Sequence, residues 1–262
     1  MHALPFLVWI ALAAPAVDGP TAFQNGTRAY AAGHMKEAVA SWEQAFSAGY
    51  RPVLTSYQLA CGYARLGDKD AAFRWLDKVA ELGGPLANQM KTDQDLASLH
   101  ADPRWQKVYG KIETNQYPCK HDAKNREFDF WIGDWDVVDA KGNPLGKSHV
   151  ELMLGECVLL ENWTSSLGST GKSFNMWDAG RKRWKQLWVD DSDGFHDYTG
   201  ELTGGAMRFD GVTFGPNGQE TKLRLTFTPL PEGKVRQLME QSTDGGKTFS
   251  VAFDGIYVKR KP

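Results

Sequence analysis

Tryptophans alternate with polar side chains in the segment from residue 184 to residue 190. Trp184, Gln186, Trp188 and Asp190 lie on one face of an extended strand, because successive strand residues point to opposite sides. Other segments add similar side chains. The ligand-binding face that we predict comprises Glu161, Trp163, Ser173, Asn175, Gln186, Trp188, Asp190 and Glu240. Buried amides and carboxylates need hydrogen-bond partners, so this face indicates a cavity for a small planar or amphipathic ligand.

The same face has two other interpretations, which differ in the role they give to Glu161. Burial beside Trp163 would raise the pKa of this carboxyl group, so one alternative is a barrel enzyme, an isomerase or hydrolase, with Glu161 as acid or base. In that alternative Asn175 or Gln186 orients the substrate. The other alternative is a structural interaction protein with a solid barrel, whose polar groups satisfy one another or form an outward-facing stripe. We assign no catalytic residue, because no nucleophile and base can be paired from the sequence.

The remaining polar residues argue against metal, cofactor and nucleic-acid chemistry. The histidines stand singly, without metal-ligand spacing, and His196 lies beside a turn among acids, where a solvated side chain is expected. Residues 190–194 fail the EF-hand pattern, which favours an ordinary acidic turn. The net charge of −2, without long basic runs, argues against phosphate binding. We therefore expect no metal, no cofactor and no nucleic-acid partner.

The strands that must position these side chains begin near Trp135. Turn signals such as Asp193-Gly194 and Gly204-Gly205 recur from there about every ten residues, with alternating segments of strand length between them. Regular spacing of this kind predicts an antiparallel meander of roughly nine or ten strands that closes into a barrel. A barrel of this size has room for packed side chains or for one small ligand.

The N-terminal half repeats itself between residues 22 and 83 at a period of 34 residues. Gly33 recurs as Gly67, and Trp42 recurs as Leu76. A fixed period of this length predicts stacked helix-turn-helix units. We interpret residues 86–114 as a terminal cap, which such arrays need to cover their last apolar face. Helical arrays of this type bind peptides or partner helices, so we expect a protein partner here, with a purely structural spacer as the alternative.

The first sixteen residues have the pattern of a secretory signal peptide. An apolar run from Leu4 to Ala14 precedes small residues at a cleavage position, and the run is too short to span a bilayer. A short helix packed on the protein is the alternative. Cleavage predicts a periplasmic or secreted protein with no membrane span after signal removal. An oxidising compartment permits one disulfide, and we predict that Cys119 pairs with Cys157, because both belong to the C-terminal half.

The helical spacings resemble the tetratricopeptide repeat. The matching residues are Gly26, Gly33, Ala38, Trp42 and Ala45 in the first unit and Leu59, Tyr63, Gly67, Ala72 and Leu76 in the second. The first unit departs from the repeat at Ala29, where a tyrosine is usual. The two units cover about a quarter of the chain, as expected for a short array that leans on a neighbouring structure.

Gly133-Asp134-Trp135 resembles the opening of the barrel in the calycin group, which includes the lipocalins. In that group a short helical turn plugs one barrel end, and the tryptophan packs under a basic residue of the last strand. The resemblance implies a barrel closed by Trp131, Gly133 and Trp135, with Lys259 or Arg260 over the indole. Residues 119–262 also resemble a family of exported bacterial proteins named only as a domain of unknown function. The residues that carry this second resemblance are 118–119, 127–135, 161–163, 173–175, 184–190 and 242–249.

These observations predict an α+β multidomain chain, in which an α-helical repeat precedes an antiparallel lipocalin-like β-barrel. The predicted boundaries are 1–16 for the signal peptide, 22–114 for the helical repeat region with its cap, 115–126 for a linker and 127–262 for the barrel. The predicted function is that of an exported binding protein. Its barrel would hold a small molecule, and its repeats would dock a protein or peptide partner.

Overall fold

The computed structural model describes residues 18–260, and the predicted signal peptide lies outside this range. The described chain divides into two compact units, of which the first ends at Gln116 and the second begins at Tyr117. Helices form the first unit, and a closed antiparallel barrel dominates the second, which confirms the predicted fold class. Within residues 18–260, no helix is long and apolar enough to cross a membrane.

Helical hairpins build the first unit. Its helices are α1 (Gly19–Ala31), α2 (Met35–Ser47), α3 (Pro52–Arg65), α4 (Lys69–Glu81), α5 (Ala87–Thr92) and α6 (Arg104–Gln116), with a 3₁₀ helix at Gln94–Leu99. Gly33 and Gly67 occupy the turns that follow α1 and α3, with φ angles of 79° and 81°. Glycine is favoured at these left-handed positions because it has no Cβ. The period seen in the sequence therefore corresponds to two successive helix-turn-helix units.

Small and large residues of the repeat meet in the core of the helical unit. Trp42 and Leu76 are both fully buried. A Cβ added at Gly26 would lie 2.5 Å from Nε1 of Trp42, so only glycine lets α1 approach the indole this closely. The alternation of small and large positions thus reflects close helix packing in this unit.

Ten antiparallel strands form the barrel of the second unit. They are β1 (Gly133–Val138), β2 (Pro144–Met153), β3 (Val158–Ser165), β4 (Thr170–Asp178), β5 (Arg183–Asp190), β6 (Phe195–Thr203), β7 (Ala206–Phe214), β8 (Glu220–Pro229), β9 (Val235–Ser242) and β10 (Ser250–Lys259). Each strand pairs with its neighbours in sequence, and β1 pairs with β10 to close the barrel. Closure removes the free strand edges that an open sheet would expose.

Aromatic side chains fill one end of the barrel, which we call the plug end. A 3₁₀ helix at Asp129–Trp131 enters there, and the rings of Phe128 and Trp131 stack with centroids 5.1 Å apart. Phe128 also meets the rings of Trp184 and Phe227 edge-on. The opposite end carries the turns at residues 139–143, 166–169, 191–194, 215–219 and 243–249, and we call it the open end.

The segment predicted as a linker, residues 115–126, is largely helical. Helix α6 continues through Gln116, and α7 (Pro118–His121) and a 3₁₀ helix at Ala123–Arg126 follow it; another 3₁₀ helix, Pro231–Gly233, joins β8 to β9. A disulfide joins Cys119 to Cys157, which lies in the turn between β2 and β3. Nη1 of Arg126 donates to Oε2 of Glu156 at 2.8 Å. The start of the second unit is therefore fastened to its barrel rather than extended.

Candidate functional site

The barrel closure residues meet at the plug end. Trp135 and Lys259 are direct partners in the ladder between β1 and β10, and Nζ of Lys259 lies 5.5 Å from the centroid of the indole. This distance is within the range of a cation–π interaction. Nη2 of Arg260 donates to the backbone oxygen of Trp135 instead, and the indole N–H of Trp135 donates to the backbone oxygen of Trp131. Gly133 has a φ of 144°, which favours glycine at the start of β1.

A cavity of about 230 Å³ lies toward the open end of the barrel. Its walls are mostly aromatic and apolar, with a few polar groups among them. The lining residues are Glu161, Trp163, Gln186, Trp188, Asp190, His196, Tyr198, Leu225, Gln237, Met239, Phe253 and Tyr257. Because typical pockets for drug-sized ligands begin at about 300 Å³, this space suits one smaller molecule. The cavity also argues against a barrel filled solidly by its own side chains.

Most side chains predicted for the ligand face line this cavity. They are Glu161, Trp163, Gln186, Trp188 and Asp190. Ser173 and Asn175 are fully buried behind the wall, and they act on the cavity through hydrogen bonds to Glu161 and Gln186. Alternation along β3, β4 and β5 therefore brings seven of the eight predicted side chains to one region.

Glu240 does not belong to this region, and its assignment to the ligand face is corrected. In the ladder between β8 and β9, Glu240 pairs with the exposed Arg224, whereas the next residue, Met239, pairs with the buried Leu225. Met239 and Leu225 both line the cavity. Since neighbouring residues of a strand point to opposite faces, Glu240 points away from the barrel interior.

Glu161 is the most deeply buried charged group of the cavity wall, with 3% of its surface exposed. Ser148 Oγ and the Tyr257 hydroxyl donate to Oε1 at 2.9 and 3.1 Å, and Ser173 Oγ donates to Oε2 at 3.1 Å. Burial raises the pKa of Glu161 to about 7, and the three hydrogen bonds oppose that rise. The carboxyl group therefore gains and loses its proton near neutral pH.

A chain of hydrogen bonds leads from Glu161 to Gln186 behind the cavity wall. Ser173 Oγ, which donates to Glu161, accepts from Nδ2 of Asn175 at 3.0 Å. Oδ1 of Asn175 accepts from Nε2 of Gln186 at 2.6 Å. This use of the Gln186 nitrogen leaves the amide oxygen of Gln186 for the cavity.

Asp190 fixes the Trp188 side chain and the turn between β5 and β6 at the rim of the cavity. Its Oδ2 accepts from the indole N–H of Trp188 at 2.9 Å, and its Oδ1 accepts from the backbone N–H groups of Ser192 and Gly194. Partial burial opposes ionisation, but these hydrogen bonds hold the pKa of Asp190 below its usual value. The group is therefore a carboxylate at neutral pH, and it fixes the orientation of the Trp188 ring.

His196 lies in the cavity wall, so the expectation of a solvated side chain is corrected. The ring is half-buried, and its Nδ1 is 3.3 Å from the hydroxyl of Tyr198. Burial lowers the pKa of His196, while Asp190 opposes that change. Alternation would have indicated the inward orientation, because His196 and Tyr198 are two residues apart on β6.

Sequence reasoning missed the lining residues that come from β8, β9 and β10. They are Leu225, Gln237, Met239, Phe253 and Tyr257. Gln237 and Met239 alternate on β9 as the predicted residues do on β5, but no tryptophan marks that strand. In β10, a register shift between Val251 and Phe253 disturbs the alternation, which hides the inward face.

Four aromatic rings of the cavity wall lie against glycines. A Cβ added at Gly171 would lie 2.5 Å from Cη2 of Trp188, which is closer than such atoms approach. The other pairs are Gly146 with Trp163, Gly211 with Tyr198 and Gly255 with Phe253. The absent side chains let the rings lie back against the wall, and the centre of the barrel stays open.

The helical unit contains a separate cluster formed by Cys61, Asp93 and Asp95, whose ligand atoms lie within 4.8 Å of one another. The Tyr57 hydroxyl donates to Oδ2 of Asp93 at 2.8 Å, and the Cys61 thiol is 3.7 Å from the same oxygen. Nη1 of Arg65 pairs with Oδ1 of Asp95 at 3.0 Å. Burial raises the pKa of the Cys61 thiol, so the thiol keeps its proton. The cluster ties α3 to the 3₁₀ helix that follows α5.

No protein-family model and no curated protein matches the chain. The resemblances to tetratricopeptide repeats and to the family of exported bacterial proteins therefore remain predictions, although the closed barrel is compatible with a lipocalin-like fold.

Proposed function

We propose that the barrel binds one small planar or amphipathic organic molecule in the cavity between Glu161 and Trp188. This proposal rests on a cavity whose walls combine aromatic rings with amide groups that keep a donor or acceptor atom for a ligand. The amide N–H of Gln186 donates to Oδ1 of Asn175, so the amide oxygen of Gln186 remains for a ligand. One atom of the Gln237 amide group contacts the Tyr257 hydroxyl, which leaves the other amide atom for a ligand. A few polar groups converging in an apolar pocket are typical of ligand sites.

The position of the cavity supports binding rather than packing. The plug end is filled by Phe128, Trp131 and their aromatic neighbours, whereas the open end retains about 230 Å³ of space. Buried amides lose hydrogen bonds to water, and a ligand with matching groups would restore them. An apolar body between the rings would add the burial of its own surface.

The proposal extends to the remainder of the chain. We propose that the protein is exported, that the helical repeat region and the barrel are its two folding units, and that the helical hairpins dock a protein or peptide partner. The disulfide between Cys119 and Cys157 supports an oxidising compartment, since such bonds are rare in the cytosol. The two successive hairpins support a partner role, because arrays of this type present extended binding surfaces.

Tryptophan fluorescence and native mass spectrometry against a library of small metabolites test the ligand proposal. A ligand of the cavity adds one molecule to the protein mass and quenches fluorescence. Trp188→Phe reduces this quenching, because the ring lines the cavity. Trp177→Phe is the matched control, because Trp177 packs on Trp184 outside the cavity. Absence of any adduct, or quenching that Trp188→Phe leaves unchanged, contradicts the proposal.

Acid–base catalysis is a second candidate function, and the environment of Glu161 favours it. Its pKa is raised by burial to about 7, which suits a group that transfers protons at neutral pH. Glu161→Gln keeps the shape of the side chain and removes this proton transfer. A bound compound that the native protein converts and the Glu161→Gln variant only retains would establish catalysis. A ligand recovered unchanged from the native protein would establish binding alone.

A further inference from the structure

We infer that the cavity selects an organic cation, in which a protonated amine or quaternary ammonium group is carried on a small apolar body. This inference rests on the proposed ligand-binding function and adds the charge of the ligand to it. The acidic groups of the cavity wall and its aromatic rings support the inference independently of each other.

The ionisable groups of the cavity wall are acidic or neutral. Glu161 and Asp190 contribute two carboxyl groups, and no lysine or arginine lines the cavity among the residues that the structure describes. Burial keeps His196 neutral at neutral pH, because it lowers the pKa of the ring. Buried charges are normally paired, since their removal from water is costly. A cationic ligand would supply the counter-charge that the wall itself lacks.

The aromatic rings of the cavity wall also favour a cationic ligand. Five rings face the cavity, and they belong to Trp163, Trp188, Tyr198, Phe253 and Tyr257. The face of an aromatic ring carries partial negative charge, so rings attract organic cations and disfavour anions. Quaternary ammonium groups are recognised in this way by cages of aromatic rings.

The surroundings of Glu161 provide hydroxyl groups but no cation. Ser148 on β2, Ser173 on β4 and Tyr257 on β10 donate to its two oxygens. The other titratable groups of the same cavity are Asp190 on β5, with His196 and Tyr198 on β6. An ammonium group near Glu161 would favour the ionised carboxylate, so binding of a cation would release a proton.

Isothermal titration of the full chain with three probes tests the inference. The probes are 2-phenylethylamine, 2-phenylethanol and phenylacetate, which share one ring and differ in charge. We expect 2-phenylethylamine to bind at least about tenfold more tightly than 2-phenylethanol, and phenylacetate to bind weakest. Equal or tighter binding of 2-phenylethanol overturns the cation inference and leaves the ligand-binding function in place. Failure of all three probes overturns the inference, and the metabolite library then decides whether the ligand-binding function falls with it.

A pair of variants tests whether the preference for the amine depends on the carboxyl group of Glu161. Glu161→Gln should reduce the preference for the amine at least about fivefold and retain binding of 2-phenylethanol. Glu240→Gln is the matched control, because Glu240 on β9 points away from the barrel interior and its substitution should leave the preference unchanged. Near-ultraviolet circular dichroism checks the packing of each variant. A preference that survives in Glu161→Gln overturns the role of this carboxyl group.

The native protein provides a second measurement that needs no variant of the cavity. Phenyltrimethylammonium has a fixed charge, so any pH dependence of its affinity comes from the protein. We expect its affinity to rise between about pH 6 and about pH 8, as Glu161 ionises around its pKa of about 7. A constant affinity over this range, or one that falls, overturns the inference.

Discussion

The hydroxyl of Tyr257 lies 3.1 Å from Oε1 of Glu161, so the last strand of the barrel contacts the buried carboxyl group of the third. The same hydroxyl contacts Oε1 of Gln237. A hydroxyl has one hydrogen, so Tyr257 cannot donate to both oxygens at once. Either Glu161 carries a proton, or the amide group of Gln237 presents its nitrogen to the hydroxyl. Protonation of Glu161 is therefore coupled to the arrangement of two other residues of the cavity wall.

Removal of the Tyr257 hydroxyl should raise the pKa of Glu161 further above 7, because this hydrogen bond opposes the effect of burial. Tyr257→Phe should also cost about 1–2 kcal/mol of unfolding free energy, as expected for loss of one buried hydrogen bond. Carbon-13 NMR of the glutamate carboxyl groups over a pH series measures the pKa. Tyr198→Phe is the control, because that hydroxyl contacts His196 rather than Glu161. An unchanged pKa of Glu161 in Tyr257→Phe would show that the Tyr257 hydroxyl does not stabilise the ionised carboxylate.

Glu161 should make the barrel less stable as the pH rises. Its pKa is about 7 in the folded chain, against a usual value of 4.5, so the folded state binds the extra proton between these values. Unfolding free energy falls with pH wherever the folded state binds more protons. Because one pKa unit corresponds to about 1.36 kcal/mol, the total loss between pH 4.5 and pH 7 is about 3 kcal/mol.

Glu161→Gln should remove this pH-dependent loss. The unfolding free energy of the variant, minus that of the native protein, should therefore rise between pH 4.5 and pH 7. Urea unfolding of both proteins at a series of pH values gives the difference, in which the titration of other carboxyl groups cancels. A difference that is constant with pH would mean that the native carboxyl group titrates normally.

Lys259 should stabilise the closed barrel through its position over Trp135. Lys259→Met keeps most of the aliphatic stem and removes the charge, and it should cost ~0.5–2 kcal/mol of unfolding free energy. Urea unfolding followed by tryptophan fluorescence measures the change. Lys141→Met provides the comparison, because Lys141 is exposed in the turn between β1 and β2. Equal effects of the two substitutions would deny the indole contact any stabilising role.

The disulfide between Cys119 and Cys157 should stabilise the second unit, since it closes a loop with a sequence separation of 38. Replacement of both cysteines by serine should cost about 2–4 kcal/mol of unfolding free energy. Alkylation followed by mass measurement checks the pairing. The unfolded chain should accept one label without reductant, at Cys61, and three labels after reduction. Three labels without reductant would mean that the purified chain lacks the disulfide.

Gly171→Ala should push the Trp188 ring away from the wall, because the new Cβ would overlap the indole. We expect weaker ligand binding by at least about tenfold, together with a changed near-ultraviolet circular dichroism spectrum. Gly168→Ala is a nearby comparison in the turn between β3 and β4, where a Cβ meets no atom within 4 Å, although its φ of 94° strains the backbone. Ligand affinity that survives in Gly171→Ala would show that the ring adapts without entering the cavity.

Local patterns predicted the architecture because they report on single strands and turns. Regular turns from Asp193-Gly194 to Gly204-Gly205 separate real strands, and the 34-residue period corresponds to two real hairpins. Alternation also placed Glu161 and Trp188 on the same side of the barrel wall. Each of these features depends on neighbours that are close in sequence or on one adjacent strand.

Contacts that span the barrel interior were not predictable in the same way. Tyr257 and Glu161 are 96 residues apart, and they meet only because the sheet closes with a particular register. The inward position of Gln237 likewise depends on how β9 and β10 pair beyond the register shift. Glu240 was wrongly assigned to the interior. It lies next to Met239, which does line the cavity, and a difference of one residue in a strand reverses the face to which a side chain points.

The glycines beneath the cavity rings make the binding capacity of this barrel adjustable without any change of topology. At Gly171 and Gly255 the atoms nearest to an added Cβ belong to the Trp188 and Phe253 rings, so a methyl group there would displace the ring toward the cavity. At Gly146 and Gly211 the added Cβ would also lie 2.5 and 2.6 Å from a backbone oxygen of the paired strand, so the strand pairing itself would have to give way. The same ten-strand chain path can thus hold a wider or a narrower cavity, according to two positions, Gly171 and Gly255, that carry no functional group. Among proteins built on this chain path, glycine at those positions would be a better marker of a ligand-binding member than the tryptophans themselves.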